Sequence, residues 1–364
     1  MSKLEQLITD LCPEGVEYVS LCNVAKISNG RDHKSLPEGD IPVYGSGGIM
    51  RYANQCIYDK SSVLIPRKGS LNNVFFVNQP FWTVDTIFYT KIDEKNIVPK
   101  FFYYYIVAQH IEDLNQAGGV PSLTKAVLDK VLIPLPPLPV QAEIVRILDN
   151  FTELTTELTT ELTARKKQYK YYCSKILSFR DIPDVKWLTL NKIANVFRGD
   201  YITKKGTLEG SVPVILGGQE PAYYIDKSNH NGKIVVIARS GASAGFVSYW
   251  DEPIFVTDGF GYEAKTDIVD EKYLYYSLKS IEPELNAMKR GAGVPHVSGE
   301  AIGKIQLPVP CIEEQKRIVA ILDRFDTLCN DISSGLPAEI EARQKQYEYY
   351  RDKLLTFPKV ELEV

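Results

Sequence analysis

The chain has 364 residues, of which 44% are hydrophobic, 24% charged and 11% aromatic, and its formal net charge is −4. That length suggests two or three domains, and the composition supports a buried core and excludes wholesale disorder. No apolar run approaches the roughly 18 residues of a membrane helix, the start of the chain has no signal-peptide core, and the acidic balance excludes a uniformly basic nucleic-acid binder.

In chain order, Val63–Ile65, Val74–Val77 and Thr86–Thr90 are β-branched and aromatic runs bounded by Gly, Pro, Asn and Asp, and read as strands. The aromatic run Lys100–Val107 predicts a helix, followed by a proline-rich connector at 134–139. From about 139 to 179 neither glycine nor proline intervenes. Ile144, Ile147, Leu148, Phe151, Leu154, Leu158, Leu162, Tyr169, Tyr172, Ile176 and Phe179 keep one apolar stripe. At 1.5 Å per residue this is a helix of about 60 Å, long enough to be a coiled-coil spacer. Inside it, Thr152–Thr163 repeats Thr-Glu-Leu-Thr three times. One unit can be added or removed with little harm to the stripe, so the segment reads as an adjustable ruler. The second half offers strands at Lys233–Ala238 and Gly245–Tyr249, a helix at Lys272–Leu278, and a connector at 308–310. A helical stretch through Ile318 and Phe325 breaks at Ser333–Pro337 and resumes as Ile340, Tyr347, Tyr350, Leu354 and Phe357.

The chain contains itself twice. Val16–Gly30 reads against Val185–Gly199, Val63–Gly69 against Val235–Gly241, Gly119–Pro121 against Gly293–Pro295, and Ala164–Tyr172 against Ala342–Tyr350. The matches keep the same order, so two similar mixed α/β domains with a pseudo-twofold relation are expected rather than a solenoid of short units. The boundaries read as 1–137 for the first domain, 138–180 for a central helical region, 181–310 for the second domain and 311–364 for a C-terminal helical region. The helical ends are nearly identical, whereas 31–60 and 200–232 share little beyond one proline strand, as two recognition surfaces on one scaffold would.

No catalytic set emerges. There is no phosphate-binding loop, and His33, His110, His230 and His296 lack metal-ligand spacing, as do the six scattered cysteines, which read as free thiols in a reducing cytoplasm. Asp93–Lys95 reads as a solvated turn. Asn78–Phe81 is one residue short of an amino-methyltransferase loop and Tyr44–Gly48 matches a methyl-donor loop poorly, which leaves a stand-alone DNA methyltransferase as the rival enzyme reading. The polar loops are more informative. Arg67-Lys68-Gly69-Ser70 and Arg239-Ser240-Gly241-Ala242-Ser243 each follow an apolar strand. Glycine admits close backbone approach, and Arg binds phosphate or the guanine edge. Lys289, Arg290 and His296 flank a second glycine-rich loop, whose counterpart, Gln116–Thr124, ends in Ser122, Thr124 and Lys125. Arg31, Lys34 and Arg51 lie in the first divergent stretch, and Arg198, Lys204 and Lys205 in or beside the second. Each alone is an ordinary surface charge; their recurrence at matching loops favours DNA.

The whole chain resembles the specificity subunit of type I restriction–modification systems. The resemblance is carried by Leu307–Pro310, Gln315, Ile318–Phe325 and Gly335–Arg351, by the Thr-Glu-Leu-Thr repeat before Ala164–Tyr169, and by the Arg-x-Gly loop and Trp82–Phe88. It implies two α/β target-recognition domains, each reading half of a bipartite asymmetric site in double-stranded DNA. It also implies that the helices form an antiparallel coiled coil between them. The subunit would be non-catalytic and cytoplasmic, docking two modification subunits and, with them, two restriction subunits. S-adenosylmethionine, ATP and Mg would belong to those partners, with none bound by this chain. The competing class is a coiled-coil scaffold joining two protein-binding domains.

Overall fold

The computed structural model describes residues 3–115, 118–179, 185–217, 220–291, 293–331 and 333–360. It divides into two compact units, Met1–Leu158 with Ile340–Val364, and Thr159–Glu339. The first opens with helix α1 (Lys3–Leu11), strand β1 (Tyr18–Ser20) and the single turn α2 (Leu21–Val24). Strands β2 (Ala25–Asn29), β3 (Ile41–Gly45), β4 (Gly48–Ala53), β5 (Ser62–Pro66), β6 (Phe75–Val77), β7 (Trp82–Thr83) and β8 (Ile87–Ile92) follow. Helix α3 (Pro99–Ala108), the turn α4 (Lys125–Leu128) and β9 (Leu132–Pro134) lead into the long helix α5 (Leu138–Ile176). The second unit repeats the plan with β10 (Lys186–Thr189), α6 (Leu190–Ile193), β11 (Ala194–Arg198), β12 (Val212–Ile215), β13 (Tyr223–Ile225) and β14 (Lys233–Ala238). Next come β15 (Val247–Asp251), β16 (Phe255–Val256), β17 (Gly259–Ala264), α7 (Glu271–Ser280), α8 (Glu282–Ala287), α9 (Gly299–Gly303) and β18 (Gln306–Val309). The chain ends in α10 (Ile312–Asn330) and α11 (Leu336–Leu354).

The internal repeat in the sequence is a repeat of topology. One unit has a four-stranded sheet of order β2-β8-β5-β6 and the other has β11-β17-β14-β15. Each also has a three-stranded sheet, β4-β3-β7 or β13-β12-β16, whose second pairing is parallel, and a two-stranded ribbon, β1-β9 or β10-β18. The apolar runs are continuous because both faces of the central strand are covered. Val63 and Ile65 of β5 join the core beneath α3, while Leu64 joins a smaller cluster with Phe81 and Tyr89. In β14, Val235 and Ile237 face α7, while Ile234 and Val236 pack with Ile215 and Ile254.

Each α/β half is fastened to its helix by the same side chains. Buried Gln141 accepts from the Val98 N–H at 2.8 Å and donates to the carbonyls of Asn96 (3.0 Å) and Pro136 (2.7 Å). Gln315 accepts from Asp270 N–H at 2.8 Å and donates to Ile268 (3.1 Å) and Pro310 (2.8 Å). Asp149 takes Lys100 and the Tyr104 hydroxyl, both at 2.7 Å; Asp323 takes Lys272 at 2.8 Å and Tyr276 at 2.6 Å. Burial, reinforced by the neighbouring carboxylate, raises both phenols above their ordinary range, so they remain donors.

Three expectations are corrected. The proline-rich stretches are more than connectors: residues 132–134 and 306–309 pair with the start of each repeat, Tyr18 opposite Pro134 and Trp187 opposite Pro308. A two-stranded ribbon has free edges, where a proline without an N–H does no harm. The central helix ends at Ile176, and Phe179 lies beyond it with φ +38°. Leu154 leaves the apolar stripe and is 46% exposed, while Ile144 and Leu148 are buried and Phe151, Leu158 and Leu162 are half-buried. A four-residue step turns a helix about 40° past a full revolution, so leucines repeated every four residues drift off a face. Elsewhere the stripe makes real contacts: Phe151 stacks on Tyr350 (5.6 Å), and Tyr169 and Tyr172 stack on Phe325 (6.2 and 5.9 Å). Tyr347 and Leu354 pack against the first core, and Ile318 is buried in the second, while Ile340 is half-buried at the head of the resumed helix. The expected break is present, with Asp331 capping the turn through Ser333 and Ser334.

Candidate nucleic-acid interface

Each repeat brings two of its polar loops together at one end of the four-stranded sheet. In the first, the loop after β5 begins with Arg67, whose N–H donates to Thr86 O at 2.9 Å. Lys68 and Ser122 form an isolated antiparallel bridge; Gly69 N–H donates to Pro121 O (3.1 Å) and Leu123 N–H to Arg67 O (2.9 Å). The loop read as Gln116–Thr124 is thus pinned to the Arg67–Ser70 loop, residues 116 and 117 lying outside the described ones. Arg67 and Lys125 both lie over the Phe88 ring, at 5.7 and 6.0 Å. Thr124 caps α4 through the Val127 N–H.

The second repeat builds the same joint. Gly241 N–H donates to Pro295 O and Val297 N–H to Arg239 O, each at 2.9 Å, and Ser240 bridges His296. His296 also bridges Arg290, and Lys289 Nζ donates to Ala242 O at 2.8 Å; residue 292 lies outside the described ones. Gly69 and Gly241 take φ of +85° and +80°, a turn that side-chain-bearing residues resist. The guanidinium of Arg239 pairs with Asp258 at 3.4 Å, and the Ser240 hydroxyl donates to the same carboxylate. Arg198, at the end of β11, lines a groove of about 590 Å³ with Arg239 and His296.

The other sequence candidates lie apart from these joints. Arg31 N–H donates to Thr83 O at 2.8 Å and its carbonyl accepts from Trp82 Nε1 at 3.1 Å, which places it beside β7. Lys34 is exposed on a turn closed by Asp32, whose carboxyl that N–H holds below the usual range. Arg51 donates to Leu36 O (2.9 Å) and Tyr52 O, so it braces the divergent loop. Ser70 and Ser243 are exposed at the ends of their loops, and Lys204 and Lys205 sit exposed in the 3-10 turn Lys204–Gly206. Asp93–Lys95 is a turn, with Asp93 accepting from the Lys95 N–H and from Asn96.

Sequence reasoning passed over several residues. Tyr201, 87% exposed, lines a second groove with Arg198, Arg239 and Asp258. Ile49, Met50 and Tyr52 of β4, and Tyr224 of β13, are exposed on the outer strands of the three-stranded sheets, all in the divergent stretches. The only available signal was their place in segments without a counterpart. Asp258 was also missed, since nothing in the sequence announces its pairing with Arg239.

The family described as the type I restriction modification DNA specificity domain matches residues 13–166 and again 183–342. The chain is 36% identical over 301 residues to the EcoR124I/EcoR124II specificity subunit of Escherichia coli, covering 75% of this chain and 74% of that protein. It is 29% identical over 378 residues to the EcoprrI specificity subunit of Escherichia coli, covering 92% of each. In fold it matches the crystal structure of a type I restriction–modification S subunit from M. genitalium with a TM-score of 0.67. That match has 20% identity and covers 94% of this chain and 96% of the other.

Proposed function

The chain belongs to the type I restriction–modification DNA specificity family, as its non-catalytic recognition subunit, and from that premise we propose that each repeat reads one half of a bipartite, asymmetric site in double-stranded DNA. The observation that carries this reading is the duplicated joint: a glycine-turned Arg loop pinned to a second loop on the same sheet end, surrounded by different residues in each repeat. A shared frame with divergent surroundings suits two readers of unlike sequences. Arg67, Lys68, Lys125, Arg198, Arg239, Lys289 and Arg290 supply phosphate or base-edge donors. A chain of net charge −4 leaves much of the DNA clamp to basic partner surfaces.

The long helices carry the second half of the proposal. Two modification subunits dock along 141–179 and 315–357, one per repeat, and two restriction subunits complete the nuclease. S-adenosylmethionine, ATP and Mg act on those partners, in the cytoplasm where the DNA is. Among the described residues no helix is long and apolar enough to cross a membrane. The test is to express the chain with its modification partner in a methylation-free host, sequence the methylome and weigh the complex by native mass spectrometry. A two-part motif with a fixed spacer and two modification subunits per chain is expected. A continuous motif, or one modification subunit in the intact enzyme, contradicts the proposal. A complex without DNA preference in competition binding favours the protein-joining scaffold instead.

A further inference from the structure

The two joints differ at one turn. Three residues, Val84, Asp85 and Thr86, connect β7 to β8; two, Thr257 and Asp258, connect β16 to β17. The shorter connection places Asp258 in the left-handed region, φ +48°, which aspartate tolerates better than most residues with a side chain. Asp258 thereby meets the Arg239 loop: one carboxylate oxygen is 3.4 Å from Arg239 Nη1 and the other accepts the Ser240 hydroxyl. In the first repeat Asp85 is exposed, and Arg67 lies over the Phe88 ring instead.

We propose that Asp258 is a specificity-determining positioning residue of the second repeat: it holds Arg239 and Ser240 in a fixed reading pose and discourages phosphate from taking their place. This rests on the DNA reading proposed above. An arginine at a DNA surface is drawn to any phosphate, and such contacts carry no sequence information. A carboxylate beside it changes both sides of that competition. A phosphate approaching Arg239 also meets the negative charge of Asp258, whereas a guanine edge is uncharged and accepts from the guanidinium donors that Asp258 leaves free. Tying the long side chain down in advance also lowers the entropy lost on binding the correct base. Discrimination thus comes from a repulsive element as well as an attractive one.

The experiment uses the purified complex with its modification subunits and two duplexes, one carrying the motif found by methylome sequencing and one scrambled. Asp258→Asn is expected to bind the scrambled duplex more tightly, to steepen the salt dependence by about one phosphate equivalent, and to reduce the ratio of specific to scrambled affinity about tenfold. In cells, its methylome should broaden only in the half-motif that depends on residues 181–310. In an Arg239→Ala background the same substitution should shift the ratio far less, because Asp258 acts chiefly through Arg239. Asp258→Gly removes the carboxylate while relaxing the left-handed backbone, and is read instead if Asp258→Asn lowers Tm. Retention of both ratio and salt slope by a variant of wild-type Tm overturns this inference alone. A wild-type complex without preference between the duplexes overturns the DNA reading itself.

Discussion

In the first repeat Gln141, Lys100, Tyr104 and Asp149 bind the α/β half to α5; in the second Gln315, Lys272, Tyr276 and Asp323 make the same bonds to α10. No such agreement holds at the outer strands. β4 exposes Ile49, Met50 and Tyr52 from a bulged six-residue strand, whereas β13 is three residues long and exposes Tyr224. The cationic loops fall between these extremes: their backbone bonds repeat, but Arg67 meets an aromatic ring and Arg239 a carboxylate. Duplication has preserved the means of attachment to the helices while the solvent-facing surface has diverged. That is the pattern required if attachment serves one function common to both halves and the surface serves two different ones.

The comparison breaks most visibly if its fixed part is removed. Gln141→Ala or Gln315→Ala removes a buried side chain that serves three buried or partly buried backbone groups, so each should lower the stability of its own unit by about 2–4 kcal/mol. The two losses should be equal within error by denaturant titration, and a marked inequality would mean that the two attachments only look alike. The variable part is sharpened by Arg67→Ala. A lost bidentate base contact costs about 1–3 kcal/mol of binding and relaxes one position of the first half-motif, whereas a lost phosphate contact mainly flattens the salt slope. Unchanged affinity and unchanged Tm would remove Arg67 from the interface.

A smaller effect belongs to the segment common to neither surface. Deleting residues 156–159 takes one Thr-Glu-Leu-Thr unit from α5, about 6 Å of helix and about 40° of rotation. A base pair rotates DNA by about 34°, so one base pair matches the lost rotation, with DNA twist and bend absorbing the remaining rise. The spacer should shorten by one base pair with both half-motifs unchanged. Methylation that continues with the original spacer would make the repeat mere filler.

Much of the frame was legible in the sequence because it is written in periodicity. The two-sided apolar strands Val63–Ile65 and Lys233–Ala238, the aromatic helices α3 and α7, and the break at Ser333–Pro337 follow from residue type and spacing alone. Leu154 was misplaced because a four-residue repeat imitates a helical stripe over two units and drifts off it over three. The pairing of 132–134 with Tyr18–Ser20 was hidden because it joins the two ends of a repeat, which local propensity does not register. Within the candidate interface the loops could be named from Arg, Gly and their recurrence. Which loops touch, and that Asp258 holds Arg239, depend on long-range hydrogen bonds and on one residue missing from a turn.

If the two surfaces are independent readers on a shared frame, exchanging one should leave the other's half of the motif untouched. Residues 12–137 are replaced with the corresponding domain of another family member and the resulting methylome is sequenced. One half of the motif should change while the other half and the spacer stay as they were. A motif altered in both halves, or in neither, by an enzyme that still methylates would contradict it.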